Sequence, residues 1–322
     1  MTGKLLFACI ALFLAATLFL NVDAQEPQRG GSVVVAVVLN RAPLSDVRVR
    51  RAIAHAIDRN YIVDKIAFGM GITATGPIST ALKWAYNPNV VNYERNTLLA
   101  NQMLDEAGYK RGEEGVRFRL KYVYAASYAK VVEALRDQLR DVGIAIDLEQ
   151  MEFNAAVERI YIKKDFDLGI SSFENGPDPD IGVKRTVVSS NIVAIPFSNG
   201  AGYRNPRIDE LFELAASETN RQKRAAYYFE AQEILVKDVP YLWLYESQGA
   251  AVYKSELQGM YQWSAKSSVY FAQDAWWIGG KSPIGNLSET FGQRRLYFFL
   301  IIGAIILIVV IAILAKRKKR RS

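Results

Sequence analysis

The sequence predicts an α/β domain outside the cell, held at a membrane by a single C-terminal helix. Three observations support this. Half of the 322 residues are hydrophobic and 23% are charged, a composition typical of folded domains. Strand and helix patterns alternate between residues 116 and 170, and the segment 296–315 carries no charge. The length suits one large domain or two smaller ones.

The N-terminus carries an export signal. Residues 1–24 combine Lys4, an apolar stretch from Leu5 to Leu20 and a small residue, Ala24, suited to cleavage. This pattern predicts a secretory signal peptide. The alternative is an uncleaved membrane helix, although the apolar stretch is short for a full span.

The C-terminus carries a membrane signal. As a helix, segment 296–315 would be about 30 Å long, which matches the hydrocarbon core of a bilayer. The tail 316–322 carries six positive charges of the net +7. The rest of the chain therefore lacks the excess of basic residues that is typical of nucleic-acid-binding proteins. The basic tail predicts a cytoplasmic C-terminus that contacts anionic lipids. We therefore expect a single-pass cell-membrane protein with an extracellular domain.

Hydrophobic periodicity predicts the elements of the outer domain. In chain order we expect a strand at 33–38, a helix around 49–57, a strand at 116–122, a helix at 128–141, a strand at 144–148, a helix capped by Asn154, a strand at 166–170, helices opened by Asn205-Pro206 and by a Thr219/Gln222 capping box, and a buried strand at Tyr241–Tyr245. Strands and helices that alternate in this way imply a layer of parallel strands.

The sequence lacks the residues that most catalytic and metal sites need. His55 is the only histidine, and the only cysteine, Cys9, lies in the predicted signal peptide. Ser-His and Cys-His pairs and zinc sites are therefore incomplete. The glycines within 69–76 match no phosphate-binding loop, and the carboxylates within 174–180 match no EF-hand. We predict no enzyme activity, no metal and no cofactor.

Five segments, in order, resemble the extracellular solute-binding proteins of family 5, the dipeptide- and oligopeptide-binding class of ABC importers. The segments are PLSDVRVRRAIAHAIDR at 43–59, FGMGITATGPI at 68–78 with WAYNP at 84–88, LDEAGY at 104–109, NGPDPD at 175–180, and GYRNPRIDELFELA at 202–215 followed by the stretch 226–245. Their shared order across residues 38–246 makes the resemblance specific.

The resemblance implies a periplasmic-binding-protein-like (type II) fold, in which two lobes close on a ligand. In full-length members a long segment after the signal peptide builds most of the first lobe, whereas only 25–32 lies in that interval here. We therefore expect an incomplete clamshell. Its parts would be an N-terminal strand or hinge remnant at 25–43, the second lobe at 44–246, and a C-terminal return with a juxtamembrane linker at 247–295.

A missing lobe would have two consequences. Ligand affinity would fall from micromolar toward millimolar, because one wall of the cleft is absent. Apolar surface on strand 33–38 and on Tyr241–Tyr245 would be exposed, which predicts an oligomer or a separate first-lobe partner.

The loop 174–180 follows a predicted strand end, where open α/β sheets present ligand groups. In peptide-binding relatives an aspartate just ahead of the Pro-Asp-Pro-like stretch pairs with the peptide's terminal ammonium, and the resemblance places Asn175 there. An amide supplies no charge to balance an ammonium, so neutral oligosaccharides become an alternative to peptides. We predict ligand contacts from Asn175, Glu174, Trp84, Tyr86 and Asp178. A helix-initiating turn and simple aromatic packing are the alternatives for these residues.

Taken together, these features predict a membrane-anchored extracellular solute-binding protein that captures small peptides or oligosaccharides and delivers them to ABC permease subunits. The alternative is a truncated surface protein that keeps the fold as an interaction scaffold and does not transport.

Overall fold

The computed structural model describes residues 22–24, 28–37, 40–176, 178–249, 252–254, 257–258 and 276–277, with side chains over 40–176 and 178–247. The strands within these residues are β1 (Val22–Ala24), β2 (Gln28–Val37), β3 (Gly71–Thr73), β4 (Phe118–Ala125), β5 (Ile144–Met151), β6 (Leu168–Phe173), β7 (Tyr241–Gly249), β8 (Val252–Lys254), β9 (Leu257–Gln258) and β10 (Trp276–Trp277). The α-helices are α1 (Val47–Ala56), α2 (Arg59–Tyr61), α3 (Thr97–Glu106), α4 (Ala129–Asp141), α5 (Phe153–Val157), α6 (Pro179–Gly182), α7 (Lys184–Val187), α8 (Pro206–Ser217) and α9 (Arg221–Asp238).

The chain divides into two units. In the described part, the smaller unit contains two short antiparallel pairs, β1 with β8 and β9 with β10. The larger unit contains a six-stranded sheet in the order β3-β7-β2-β6-β4-β5.

The sheet is mixed. Strands β5, β4 and β6 are parallel, β2 is antiparallel to both β6 and β7, and β3 is antiparallel to β7. The C-terminal ends of β4, β5, β6 and β7 therefore meet at one edge, together with the beginnings of β2 and β3. We call this the C-terminal edge. There, Gln28 at the start of β2 lies opposite Gly249 at the end of β7.

The predicted parallel layer is confirmed. Helix α4 connects β4 to β5 and α5 begins the connection from β5 to β6, as the alternating pattern indicated. The hydrophobic pattern did not predict the position of β2. This strand comes first in the sequence of the larger unit, but it pairs in the middle of the sheet, between β7 and β6.

Helices cover both faces of the sheet. Tyr241 and Trp243 of β7 pack on the face that carries α8 and α9, whereas Leu242 and Leu244 pack on the face that carries α1, α3 and α4. These four side chains are at most 7% exposed. The expectation that this strand would present open apolar surface is therefore wrong, because strands and helices of the same unit bury it.

Two predicted helix caps are shifted by one or two residues. Asn205 caps α8 as expected and accepts a hydrogen bond from Arg207 N at 3.0 Å. Helix α9 is capped by Asn220 rather than Thr219, through bonds from Gln222 N and Lys223 N. Helix α5 is capped by Glu152 rather than Asn154. The Glu152 carboxylate accepts a hydrogen bond from the backbone N–H of Asn154 at 2.7 Å.

The arginines of segment 43–59 bind backbone carbonyls. Arg50 donates to Asp238 O at 2.6 and 2.9 Å and to Leu44 O at 2.9 Å. It thereby neutralises the C-terminal end of α9, where carbonyl oxygens concentrate partial negative charge. Arg59 donates to Trp243 O at 2.7 Å and Tyr93 O at 2.8 Å. Burial lowers the pKa of Arg59 to about 10.

Several predicted segments lie outside the described residues. These are the signal peptide except for Val22–Ala24, the transmembrane helix 296–315, the basic tail 316–322 and most of the linker 247–295. Among the helices of the described ranges, none combines the length and the apolar character that a bilayer span requires.

Candidate functional site

A small cavity lies beneath the C-terminal edge. It is lined by Pro77, Phe173, Glu174, Asn175, Gly182, Val183, Thr186, Val187, Tyr241 and Trp243. Its volume of about 20 Å³ is close to that of one water-sized group. The cavity can therefore receive the end of a ligand, but it cannot enclose a whole peptide or sugar.

The loop after β6 brings two of the predicted ligand residues to this cavity. Gly176 adopts a left-handed conformation with φ of +64°, which reverses the chain after Asn175. At Gly182, a Cβ atom would lie only 2.3 Å from Asn175 O, so only glycine permits α6 to pack this closely. Asn175 is 9% exposed and Glu174 is exposed at the surface. The loop thus presents a carboxylate beside a carboxamide.

The side chain of Asn175 has a fixed orientation. Its Oδ1 accepts a hydrogen bond from Ser79 N at 3.1 Å. Ser79 belongs to the segment that leads from Pro77, itself part of the cavity wall. The site is therefore assembled from residues almost a hundred positions apart in sequence.

Asp178 lies in the same loop but is held by internal contacts. Its carboxylate caps α6 through Asp180 N at 3.0 Å and forms two hydrogen bonds with Arg224, at 2.5 and 2.9 Å. The Tyr228 hydroxyl donates to it at 3.2 Å. Burial, together with the Asp178 charge, raises the pKa of Tyr228. Asp178 does not line the cavity. Its hydrogen bonds with Arg224 and Tyr228 connect the loop to α9.

Trp84 and Tyr86 also lie away from the cavity wall. The guanidinium groups of Arg221 and Arg224 lie 5.1 and 5.5 Å from the centre of the Trp84 ring, a cation–π arrangement. The Tyr86 hydroxyl lies 3.1 Å from Thr75 Oγ1. These contacts hold the segment around Trp84 against its neighbours. Contacts of either aromatic residue with a ligand remain a prediction.

The sequence did not single out Glu246. This carboxylate ends the buried part of β7, is 2% exposed, and accepts hydrogen bonds from Ser79 and Thr80. Its position in the sequence could have drawn attention to it, because Glu246 directly follows the apolar run Tyr241–Tyr245. If the buried strand continues through this residue, its carboxylate needs hydrogen-bond donors inside the fold.

The family model for bacterial extracellular solute-binding proteins, family 5 (middle), matches residues 12–192. Heme-binding protein A of Haemophilus influenzae is 29% identical over 73% of the chain, and the oligopeptide-binding protein AppA of Bacillus subtilis is 27% identical over 72%. The chain spans 43% and 44% of the lengths of these two relatives.

The fold is similar to that of solved structures. The structure of AppA from Bacillus subtilis in complex with a nonapeptide matches with a TM-score of 0.67 and 24% identity, over 82% of this chain and 54% of that one. The family model covers more than half of the chain, and this structure has the same fold. The chain therefore belongs to the bacterial extracellular solute-binding proteins of family 5.

Proposed function

We propose that this chain provides a ligand-binding lobe of an extracellular solute-binding protein, and that the ligand is a short peptide passed on to an ABC permease. The observation that carries the proposal is the pair Glu174 and Asn175 at the cavity below the C-terminal edge. The exposed carboxylate of Glu174 supplies the negative charge that an amide at position 175 lacks. A peptide ammonium is the ligand group that such a carboxylate would balance.

The size of the cavity limits how the peptide binds. A space of about 20 Å³ takes one ammonium group, so the remaining residues would lie along the C-terminal edge. The relative AppA carries the name of an oligopeptide-binding protein, and its solved structure holds a nonapeptide. These names support a peptide over a sugar. A neutral oligosaccharide is the second candidate, favoured by the carboxamide of Asn175.

Anchoring belongs to the same proposal. The uncharged segment 296–315 would hold the lobe near the permease, with the basic tail 316–322 on the cytoplasmic side. Crosslinking in intact membranes tests this arrangement. Recovery of permease subunits supports delivery, whereas recovery of only other envelope proteins supports the scaffold alternative.

Isothermal titration calorimetry on the full chain tests the ligand class. Peptides of two to nine residues, the same peptides with an acetylated amino terminus, and a panel of oligosaccharides would each be titrated at millimolar concentration. We expect binding of free peptides on the order of millimolar Kd, and about tenfold weaker binding after acetylation or in Glu174→Gln, because either change removes one charge-assisted contact.

Glu113→Gln is the matched control, since Glu113 is exposed in a turn of the same unit and does not line the cavity. Its peptide affinity should equal that of the unmodified chain. Equal affinity for free and acetylated peptides would refute ammonium recognition, and heat from sugars alone would favour the second candidate.

A further inference from the structure

The carboxylate of Glu246 lies inside the C-terminal edge and is 2% exposed. It accepts hydrogen bonds from Ser79 Oγ at 2.6 Å, from Thr80 N at 2.9 Å and from Thr80 Oγ1 at 3.1 Å. A buried carboxylate is tolerated only when donors of this kind surround it. Because the donors belong to two consecutive residues, Glu246 holds the turn at 79–80 in place.

This turn connects Glu246 to the candidate ligand site. Ser79 contacts Glu246 through its hydroxyl and Asn175 through its backbone amide, at 2.6 and 3.1 Å. The Ser79 hydroxyl also accepts a hydrogen bond from Ala81 N at 3.1 Å, which closes the turn. Pro77, two residues before Ser79, lines the cavity itself. A displacement of Ser79 would therefore alter both the wall of the cavity and the support of Asn175.

Glu246 is fixed by the sheet. Its strand β7 pairs with β2 on one side and with β3 on the other, where Glu246 lies opposite Ile72. Next to it, a Cβ atom at Gly71 would lie 2.9 Å from Glu246 O, so glycine permits this close strand approach. A side chain on a paired strand is a more rigid support than a side chain on a loop.

We propose that Glu246 is a positioning residue for ligand recognition. It holds the 79–80 turn so that Ser79 N fixes the carboxamide of Asn175. A carboxamide has an acceptor end and a donor end, and the bond from Ser79 N holds the acceptor end, Oδ1, in place. The orientation of Asn175 toward the ligand is thus set by a carboxylate that does not line the cavity. This inference rests on the proposed function.

The first test needs no ligand. In Glu246→Gln, one acceptor oxygen of the carboxylate becomes an amide donor, so its charge-assisted bonds to the turn weaken. We expect hydrogen exchange of the Ser79 and Thr80 amides to become about tenfold faster, the ratio that corresponds to the loss of one such bond. We also expect the side-chain NH₂ resonances of Asn175 to shift. Both are measured by NMR on the full chain.

Two variants separate this effect from general destabilisation. Leu244→Ala removes a buried apolar side chain from the same strand and lowers global stability without touching the turn. Glu113→Gln makes the same chemical change at an exposed site. The inference requires that neither control, compared at equal global stability, reproduces the changes at Ser79 and Asn175. Unchanged Ser79 exchange in Glu246→Gln, or the same changes in Leu244→Ala, overturns it.

The second test uses the free peptides of the calorimetric panel. We expect Glu246→Gln to weaken their binding about tenfold, and Ser79→Ala in that background to cost less than it does in the unmodified chain, because both changes release the same turn. Additive effects contradict the inference. If the unmodified chain binds no peptide, the proposed function fails, while the exchange and resonance measurements still decide whether Glu246 positions Asn175.

Discussion

Helix α1 and the loop 174–178 both concentrate charged side chains, but the structure uses these charges differently. In α1, Arg50 and Arg51 point their donors at backbone carbonyls, and Arg50 alone binds three of them. In the loop, Asp178 is bound by Arg224, whereas Glu174 stays exposed beside the cavity. A run of charges in sequence therefore does not distinguish cross-links from recognition groups. What distinguishes them is whether a partner exists inside the fold.

The largest expected effect concerns Arg50, which binds backbone carbonyls inside the fold. Arg50→Met removes the donors that satisfy the carbonyls of Asp238, Leu44 and Ser45, so the free energy of unfolding should fall by about 3 kcal/mol. Denaturant unfolding measures this change. Arg48→Met is the control, because Arg48 is 55% exposed and pairs with Asp46 at the surface. A much smaller loss is expected there, because the pair is exposed to solvent. Equal losses in both variants would contradict the structural role of Arg50.

Within the loop, the two carboxylates should separate stability from binding. Asp178→Asn breaks the two-bond pair with Arg224, whose side chain is 23% exposed, and should lower the free energy of unfolding by about 1–2 kcal/mol. Glu174→Gln should change it by less than about 0.5 kcal/mol while it weakens peptide binding. Thermal unfolding and calorimetry on both variants check this. If Glu174→Gln lowered the free energy of unfolding and Asp178→Asn weakened only peptide binding, the roles given to these two carboxylates would be wrong.

The smallest effect concerns acid pH. A hydrogen bond from the Arg48 side chain holds the pKa of Asp46, the cap of α1, below its usual range. Because the folded pKa is lower than the unfolded one, this carboxylate stabilises the fold above the unfolded pKa. The contribution is lost as the pH falls through the folded pKa. Asp46→Asn should make the acid side of the stability–pH curve shallower, by less than about 1 kcal/mol in total. Asn preserves the cap, so an unchanged slope would argue against the charge contribution.

The local parts of the fold could be predicted from the sequence. The periodicity of residues 118–151 shows β4, α4 and β5 directly, and Asn205-Pro206 shows the start of α8. Each signal lies within a short window, where alternation of apolar residues or a cap is sufficient. The predicted cap of α9, Thr219, was wrong by one residue. Thr219 and Asn220 can both cap a helix, and only the backbone geometry decides which of them does so.

The non-local parts could not be predicted. The place of β2 between β6 and β7 depends on pairings across more than a hundred residues, and no local pattern encodes them. The bonds from Ser79 to Glu246 likewise join positions separated by 167 residues. The loop 174–178 was predicted to hold ligand residues, but the sequence could not show that Asp178 would be bound by Arg224 while Glu174 faced solvent.

The pairing of Gln28 with Gly249 has a consequence for how this architecture can evolve. The polypeptide enters and leaves the sheet at neighbouring points, so a second module can be spliced in or lost there without any change in strand order. Domains joined through two adjacent crossings tolerate insertion and circular permutation. We therefore expect this sheet to accept different companion domains, each joined to it at these two neighbouring points.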